Sequence, residues 1–313
     1  MTLARERRGG QCYLITVVAV EGRCLLLPRD EVNDIFETAL GRALEKTGVE
    51  LHCGLVSVNH YHLVVSDLTE PELGEFMREL NQVAAVELNR HHSKDGTKFD
   101  GPVFRAHYHD EPLDDPDEIL NGMAYTLTNP VKDGLVRTMK DWPGYVTRIG
   151  EIGGEPRRVM RGTAHEYSKR SKLEASYKIR AVMPKVFRDA GVTPAAFRAR
   201  LGEACKRWER KWRKALRDDD SHEGFKTTSE LRSLPTNRPT PRPKRKTDLD
   251  LARRRRQLTA LRRRRRARYR AFLEAYEEAL RAWREGDREV EFPYGVYKMR
   301  RLHDVRHGPR SPP

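Results

Sequence analysis

The order of strand-like and helix-like segments in the first 130 residues constrains this fold most. β-branched and aromatic runs predict four strands, at 12–20, 49–58, 60–66 and 102–108. Apolar residues at helical spacing predict three helices, at 30–47, at 71–92, and from Asp114 or Asp115 to about Asn129. This order predicts an α+β fold, a ferredoxin-like antiparallel sheet with packed helices and one helix added.

Charge divides the chain into two unlike halves. Residues 1–150 carry 16 basic and 24 acidic side chains, a net charge of −8. Residues 151–313 carry 45 basic and 22 acidic side chains, a net charge of +23. A chain this basic usually meets a polyanion, and nucleic acid is the commonest one. This division of charge predicts that the first half carries the catalytic residues and that the second half binds a polyanion.

The same shift in composition predicts four segments. Residues 1–150 form a catalytic domain, and residues 151–216 form a basic, mainly helical region. Four prolines after Leu234 predict a semi-rigid linker over 217–249. Residues 250–313 form an Arg-rich helical tail that binds nucleic acid.

The cysteines and the apolar runs exclude several classes of protein. None of the four cysteines forms a CxxC pair, so neither a disulfide framework nor a zinc ribbon is indicated. No apolar run approaches the roughly 18 residues that a membrane helix needs. The first residues lack the apolar stretch of a secretory signal. We therefore expect a cytoplasmic protein with free thiols and no membrane partner.

A His-x-His pair lies in the third predicted strand. Side chains two residues apart on a strand face the same way, so His60 and His62 share one face. Two imidazoles so placed can chelate one divalent cation. Three residues are a weak motif, and two histidines without a ligand fit the pattern equally well.

A tyrosine and an asparagine share one face of the third predicted helix. Tyr125 and Asn129 are four residues apart, which is one helical turn. A tyrosine hydroxyl near a metal-bound phosphate can attack phosphorus, and the Asn carbonyl could supply an oxygen ligand. An ordinary half-buried aromatic followed by a helix-ending Asn-Pro fits the same residues.

In combination these segments resemble a known family. VSVNHYHLVVS, FDGPVFRAHYHDE and AYTLTNPVKDGLV occur in the order typical of REP-associated tyrosine transposases. These proteins belong to the insertion-sequence-200-like branch of the HUH (His-hydrophobe-His) endonucleases. The resemblance covers about residues 8–148. It departs from the family where Val58-Asn59 replaces Met-Pro-Asn and where His107-Tyr108 replaces Arg-Tyr.

The resemblance implies a function and a set of roles. His60, His62 and Asn129 would bind Mg²⁺ or Mn²⁺, and Tyr125 would be the nucleophile. The enzyme would cut and rejoin single-stranded DNA at hairpins or repeats through a 5′-phosphotyrosine link. A DNA-binding protein that keeps this fold without turnover is the main alternative, and an enzyme acting on RNA is a third. The oligomeric state is left open, with a homodimer as one option.

An arginine-rich run predicts a helix that binds nucleic acid. Residues 253–270 contain eleven arginines, and no acidic residue occurs between Arg253 and Phe272. Such a helix can track phosphates and release their counterions. The predicted contacts are Arg253, Arg254, Arg255, Arg256, Arg262, Arg263, Arg264, Arg265, Arg266 and Arg268.

Overall fold

The computed structural model describes most of the chain. The described residues are 10–67, 72–94, 101–161, 173–219, 222–236, 251–294, 296, 299 and 302–308, with the backbone alone at 94 and 251–265. Much of the predicted linker, and the side chains of Arg253–Arg265, therefore lie outside them.

The first half of the chain supplies the main sheet and four helices. In chain order its elements are β1 (Gln11–Val18), α1 (Asp30–Thr47), β2 (Glu50–Val56), β3 (His60–Asp67), α2 (Leu73–Lys94), β4 (His109–Leu113), α3 (Pro116–Leu127) and α4 (Asn129–Lys132). The second half adds β5 (Arg157–Met160), β6 (Ser176–Ile179), α5 (Lys185–Asp189), α6 (Pro194–Arg217), α7 (Thr228–Arg232) and α8 (Leu251–Arg284).

Strands β1 to β4 form one antiparallel sheet in the order β2-β3-β1-β4. Strand β1 pairs with β3 from Gln11 opposite Asp67 to Val18 opposite His60. The two central strands are thus the first and third in the chain, as in a ferredoxin-like sheet. The predicted fold class is confirmed.

Both faces of this sheet are covered. On the first face, Tyr13, Ile15 and Val17 pack with the apolar residues of α1 and α2. On the second face, Cys12 and Leu14 pack with residues of α3 and α6. Burial on both faces explains why β1 is a nearly continuous apolar run rather than an alternating one.

The prediction of the fourth strand was wrong. The strand is His109–Leu113, whereas residues 103 and 104 are buried but make one isolated bridge, Phe104 to Ala19. Strand β4 pairs with β1 alone and stands at an edge of the sheet, and Leu113 alone among its five residues is buried. The apolar pattern therefore pointed to the buried loop before the strand.

Helix α3 lies on the second face of the sheet and positions the residues of interest. Asp115 caps its first turn by accepting a hydrogen bond from the Glu118 amide at 2.7 Å. The helix ends at Leu127, two residues earlier than predicted, and Asn129 begins α4 instead of ending α3. This break turns the chain while the apolar side of α3 stays packed against β2 and α6.

The second half adds two packed units. Strands β5 and β6, which the helical pattern did not predict, form a two-stranded sheet against α1. Helix α6 packs along α3 through Phe197, Leu201 and Ala204. Helix α8 packs its C-terminal turns against the chain that follows, around Phe272 and Phe292. Within the described residues, no helix is long and apolar enough to cross a bilayer.

Candidate active site

The His-x-His pair projects from β3 onto the second face of the sheet. The rings of His60 and His62 lie 4.8 Å apart between centroids. His62 is buried, and His60 is partly exposed. Tyr61 between them points into the opposite core, where its hydroxyl donates to Asn81 Oδ1 at 2.7 Å. Strand alternation thus brings the two imidazoles together and anchors them through the intervening residue.

Neighbouring side chains orient both imidazole rings. His62 Nδ1 lies 2.9 Å from the Thr16 hydroxyl oxygen on the adjacent strand β1. His60 Nδ1 lies 2.7 Å from Asn59 Oδ1, and the Asn59 amide donates to the Gly22 carbonyl at 3.1 Å. Both Nδ1 atoms are therefore engaged, which directs both Nε2 atoms into the site.

The Asn129 side chain meets both Nε2 atoms. Its Oδ1 lies 3.0 Å from His60 Nε2, and its Nδ2 lies 3.2 Å from His62 Nε2. Asn129 is fully buried at the start of α4, so its amide has no access to bulk water. A carboxylate stands further out, with Asp133 Oδ2 3.9 Å from His60 Nε2.

Burial keeps both imidazoles neutral. It lowers the pKa of His60 below the usual 6.5, against the opposing effect of Asp133. It lowers the pKa of His62 well below that value, and the neighbouring His60 and Lys132 add to the effect. Neutral imidazole is the form that binds metal ions, because the coordinating nitrogen must carry a free lone pair.

The orientation of the Asn129 amide, with its oxygen towards His60, leaves one nitrogen of His60 without a matching hydrogen bond. A neutral imidazole has one N–H, yet His60 faces acceptor oxygens on both sides, Asn59 Oδ1 and Asn129 Oδ1. If Nδ1–H donates to Asn59, the Nε2 lone pair faces the Asn129 oxygen. A shared cation would satisfy both lone pairs. Adjacent ligands of an octahedral ion with bonds of about 2.1 Å stand about 3.0 Å apart.

This donor set fits a divalent cation that keeps open coordination positions. The amide oxygen suits Mg²⁺ or Mn²⁺, whereas the two imidazole nitrogens suit softer transition-metal ions, so of these two ions the mixed set fits Mn²⁺ better. Among the described residues, no group of three or more His, Cys, Asp or Glu side chains is placed to hold a metal ion. The set at His60 and His62 depends instead on an asparagine.

Tyr125 stands beside the imidazoles on α3. Its ring is half-buried, and its centroid lies 5.4 Å from that of His62. Trp208 of α6 closes the other side at 6.2 Å between centroids. The structure therefore brings together the four predicted site residues, His60, His62, Tyr125 and Asn129, from β3, α3 and α4.

Lys132 completes the cluster and was absent from the sequence prediction. Its Nζ lies 5.3 Å from the Tyr125 ring centroid and 3.0 Å from Asp133 Oδ1. Burial opposes its charge, but Asp133 and the Tyr125 hydroxyl outweigh burial and raise the pKa of Lys132. It therefore stays an ammonium ion. It lies in α4, beyond the helix end near Asn129 that the sequence predicts, so the helical spacing gave no signal for it.

The other predicted contacts stand apart from this cluster. Arg266 is exposed and Arg268 is half-exposed on α8, whose backbone is helical through the whole arginine run. His107 and His109, the two histidines near β4, are exposed. Thr16, which orients His62, was also missed, because a lone threonine in a strand carries no sequence signal of such a role.

Comparisons with known proteins return fold neighbours of one class. A solved REP-associated tyrosine transposase bound to a REP hairpin is 17% identical, with a TM-score of 0.40, covering 57% of this chain and 99% of that one. A solved putative transposase from Deinococcus radiodurans R1 is 18% identical, with a TM-score of 0.28, covering 37% and 88%. No family model and no curated protein matches the sequence.

Proposed function

We propose that this chain is a metal-dependent endonuclease and strand-transferase that acts on single-stranded DNA through a tyrosine nucleophile. One observation carries the proposal. Two neutral imidazoles and a buried asparagine amide meet within 3.2 Å beside a tyrosine from another element. A chain with a net charge of +23 in its second half supplies the affinity for a polyanion.

The residues of the site have separate roles. His60, His62 and Asn129 would hold Mg²⁺ or Mn²⁺, with Thr16 and Asn59 fixing the two rings. A bound divalent ion would polarise the scissile phosphate and offset its charge. Burial of His62 and Asn129 keeps these donors in one geometry before substrate arrives.

Tyr125 performs the bond exchange. Its hydroxyl oxygen forms a bond to phosphorus as the bond to the 3′-oxygen of the preceding nucleotide breaks. The phenol proton leaves to solvent, and the released 3′-oxygen takes up a proton. The phosphate of the downstream strand remains on the tyrosine as a 5′-phosphotyrosine ester. This ester conserves the energy of the broken bond, so a 3′-hydroxyl can attack it and rejoin strands without ATP.

Lys132 supports the charge changes at the phenol oxygen. Its ammonium lies beside the Tyr125 hydroxyl, where it stabilises the phenolate that attacks and later leaves. Asp133 holds the ammonium in place. Lys132 and Asp133 therefore affect the reactivity of Tyr125 without forming a bond to phosphorus.

A covalent-adduct assay tests this function. The protein is incubated with Mn²⁺ and a labelled single-stranded hairpin, then denatured and separated by electrophoresis. We expect a labelled adduct from the wild type, none from Tyr125→Phe, and an unchanged amount from the control Tyr276→Phe on α8. An adduct that survives Tyr125→Phe contradicts the role of Tyr125.

The alternative is a DNA-binding protein without turnover. The strongly basic second half favours it, because charge alone suffices for binding. Hairpin binding by a wild type that forms no adduct with Mg²⁺ or Mn²⁺ would favour this alternative.

A further inference from the structure

Two tryptophans of α6 lie next to the candidate nucleophile. The Trp208 ring contacts Tyr125 at 6.2 Å between centroids, and the Trp212 ring lies 4.9 Å from Trp208 with an interplanar angle of 31°. Both rings are partly buried. Trp208 packs against the apolar core between α3 and α6, and Trp212 packs against a neighbouring core that includes Val131 and Leu135. A tilted pair of indole rings therefore extends from Tyr125 along α6.

An exposed lysine covers these rings. Lys211 Nζ lies 5.0 Å from the ring centroid of Trp208 and 5.3 Å from that of Trp212. Its side chain is exposed and belongs to the same helix. A lysine side chain moves easily, so a flat aromatic ligand can replace it on the indoles while its ammonium contacts an adjoining phosphate.

The flank of α6 beside the tryptophans is basic. Arg200, Arg207, Lys211 and Lys214 follow at intervals of seven, four and three residues, which places them along one line of the helix. All four are exposed. Lys206 and Arg213, which lie off this line, are paired with Glu203 and Glu209. Within the part of the chain that the structure describes, no carboxylate lies within ion-pair distance of Arg207 or Lys214, although Glu203, whose pKa is lowered first by Lys206, is close enough to Arg207 for that charge to lower it further.

We propose that the α6 surface, formed by Trp208, Trp212, Arg207, Lys211 and Lys214, binds single-stranded DNA next to Tyr125. Unpaired bases stack on the indoles, and the basic line follows the phosphates. Bases in a duplex are already stacked and paired, so this surface selects unpaired strand. The binding surface itself does not depend on the proposed function. Only its role, which is to bring a phosphate to Tyr125, rests on that function.

Photocrosslinking tests where the strand lies. The full-length protein, carrying Tyr125→Phe and free of metal, is irradiated with a single-stranded oligonucleotide containing 5-iodouracil, and cross-linked peptides are identified by mass spectrometry. We expect cross-links at Trp208 or Trp212 that a duplex of the same sequence does not give. Cross-links found only at aromatic residues of α8, such as Tyr269 and Tyr276, would overturn the proposal. So would cross-links at Trp208 or Trp212 that the duplex gives equally.

Salt-dependent binding tests the basic line independently. Removing two phosphate contacts with Arg207→Gln and Lys214→Gln should reduce the slope of log affinity against log salt by about 1.4, since each contact to a single strand contributes about 0.7. Affinity at moderate salt should fall several-fold. The control Lys206→Gln should change neither. An unchanged slope in the double variant overturns the proposal.

These readouts separate the two proposals. Neither requires cleavage, because the photocrosslinking protein lacks both the tyrosine hydroxyl and the metal, and the salt series measures binding alone. If no covalent adduct forms with wild-type protein while both α6 tests succeed, the proposed reaction fails and the binding surface stands. If the adduct forms and the α6 tests fail, the reaction stands and the surface is wrong.

Discussion

At the scale of single residues, the candidate site depends on which nitrogen of each histidine is engaged elsewhere. Thr16 and Asn59 occupy the two Nδ1 atoms, so both Nε2 atoms face Asn129. Outer partners of this kind usually change metal affinity or activity by about 10–100-fold when they are removed. Replacing a ligand should therefore have a larger effect than replacing its partner.

The first residue-scale prediction separates metal binding from DNA binding. His60→Ala should reduce Mn²⁺-dependent cleavage by more than about 100-fold, and Thr16→Val by about 10–100-fold, because the first removes a ligand and the second loosens one. Both variants should still bind a hairpin oligonucleotide. The exposed His109→Ala serves as control. Normal cleavage by His60→Ala in metal-buffered solution would remove His60 from the ligand set.

The second residue-scale prediction concerns acid stability. Burial lowers the pKa of His52 from the usual 6.5 to about 4. Between these values the unfolded chain binds the proton and the folded chain does not, so stability is present above about pH 6.5 and is lost towards pH 4. The full contribution is about 3 kcal/mol. His62 acts in the same direction, since its pKa is also lowered.

Urea unfolding at pH 7.5 and pH 5, in the presence of a chelator, measures this dependence. His52→Gln should show a smaller loss of stability on acidification than the wild type, although its stability at pH 7.5 is lower. The exposed His107→Gln should behave like the wild type. Equal losses for His52→Gln and the wild type would show that His52 already titrates in the folded state near its usual pKa.

At the scale of secondary-structure elements, close packing of α1 against β6 requires a glycine. A Cβ atom at Gly41 would lie 2.5 Å from Cβ of Tyr177, whereas one at Gly202 of α6 would meet no atom within 4 Å. Cβ of Tyr177 cannot swing away, because it is bonded directly to the backbone. The two helical glycines therefore differ in role, although the sequence presents them alike.

The element-scale prediction uses this pair. Gly41→Ala should lower the free energy of unfolding by about 1–3 kcal/mol, through overpacking between α1 and β6. Gly202→Ala should raise it by about 0.5–1 kcal/mol, because alanine restricts the unfolded chain and favours helix. Urea denaturation of both variants measures the difference. Stabilisation by Gly41→Ala would mean that β6 is held away from α1.

At the scale of the whole molecule, the candidate site and most of the basic charge lie in different halves of the chain. The cluster around Tyr125 lies in the acidic half, whereas α6 and α8 lie in the basic half. Helix α6 reaches the cluster directly through Trp208. Helix α8 packs against the segment that follows it, around Phe272 and Phe292. We therefore expect α8 to add affinity that does not depend on DNA sequence.

The whole-molecule prediction is a deletion. Removing residues 250–313 should weaken binding to single-stranded DNA and flatten its salt dependence, by about 0.7 in slope for each phosphate that the arginines no longer neutralise. Adduct formation at saturating DNA should persist, because the site is complete without α8. Fluorescence anisotropy across a salt series measures the effect. A salt slope equal to that of the full chain would contradict the role of the arginine run.

The sequence by itself determined the elements that have a local period. Alternation in β3 placed His60 and His62 on one face, and the helical repeat placed Tyr125 on α3, although it did not show that Asn129 begins a new helix. The order of these elements indicated the ferredoxin-like sheet. The sequence did not locate β4, because this edge strand buries only Leu113 and therefore has little apolar pattern.

Only the tertiary structure decided what surrounds these residues. The break after Leu127 places Asn129 against both imidazoles, the approach of β1 brings Thr16 to His62, and α6 brings Trp208 to Tyr125. Each contact joins segments distant in the chain. Such distances are set by how whole helices and strands pack, and no local pattern of residues encodes them.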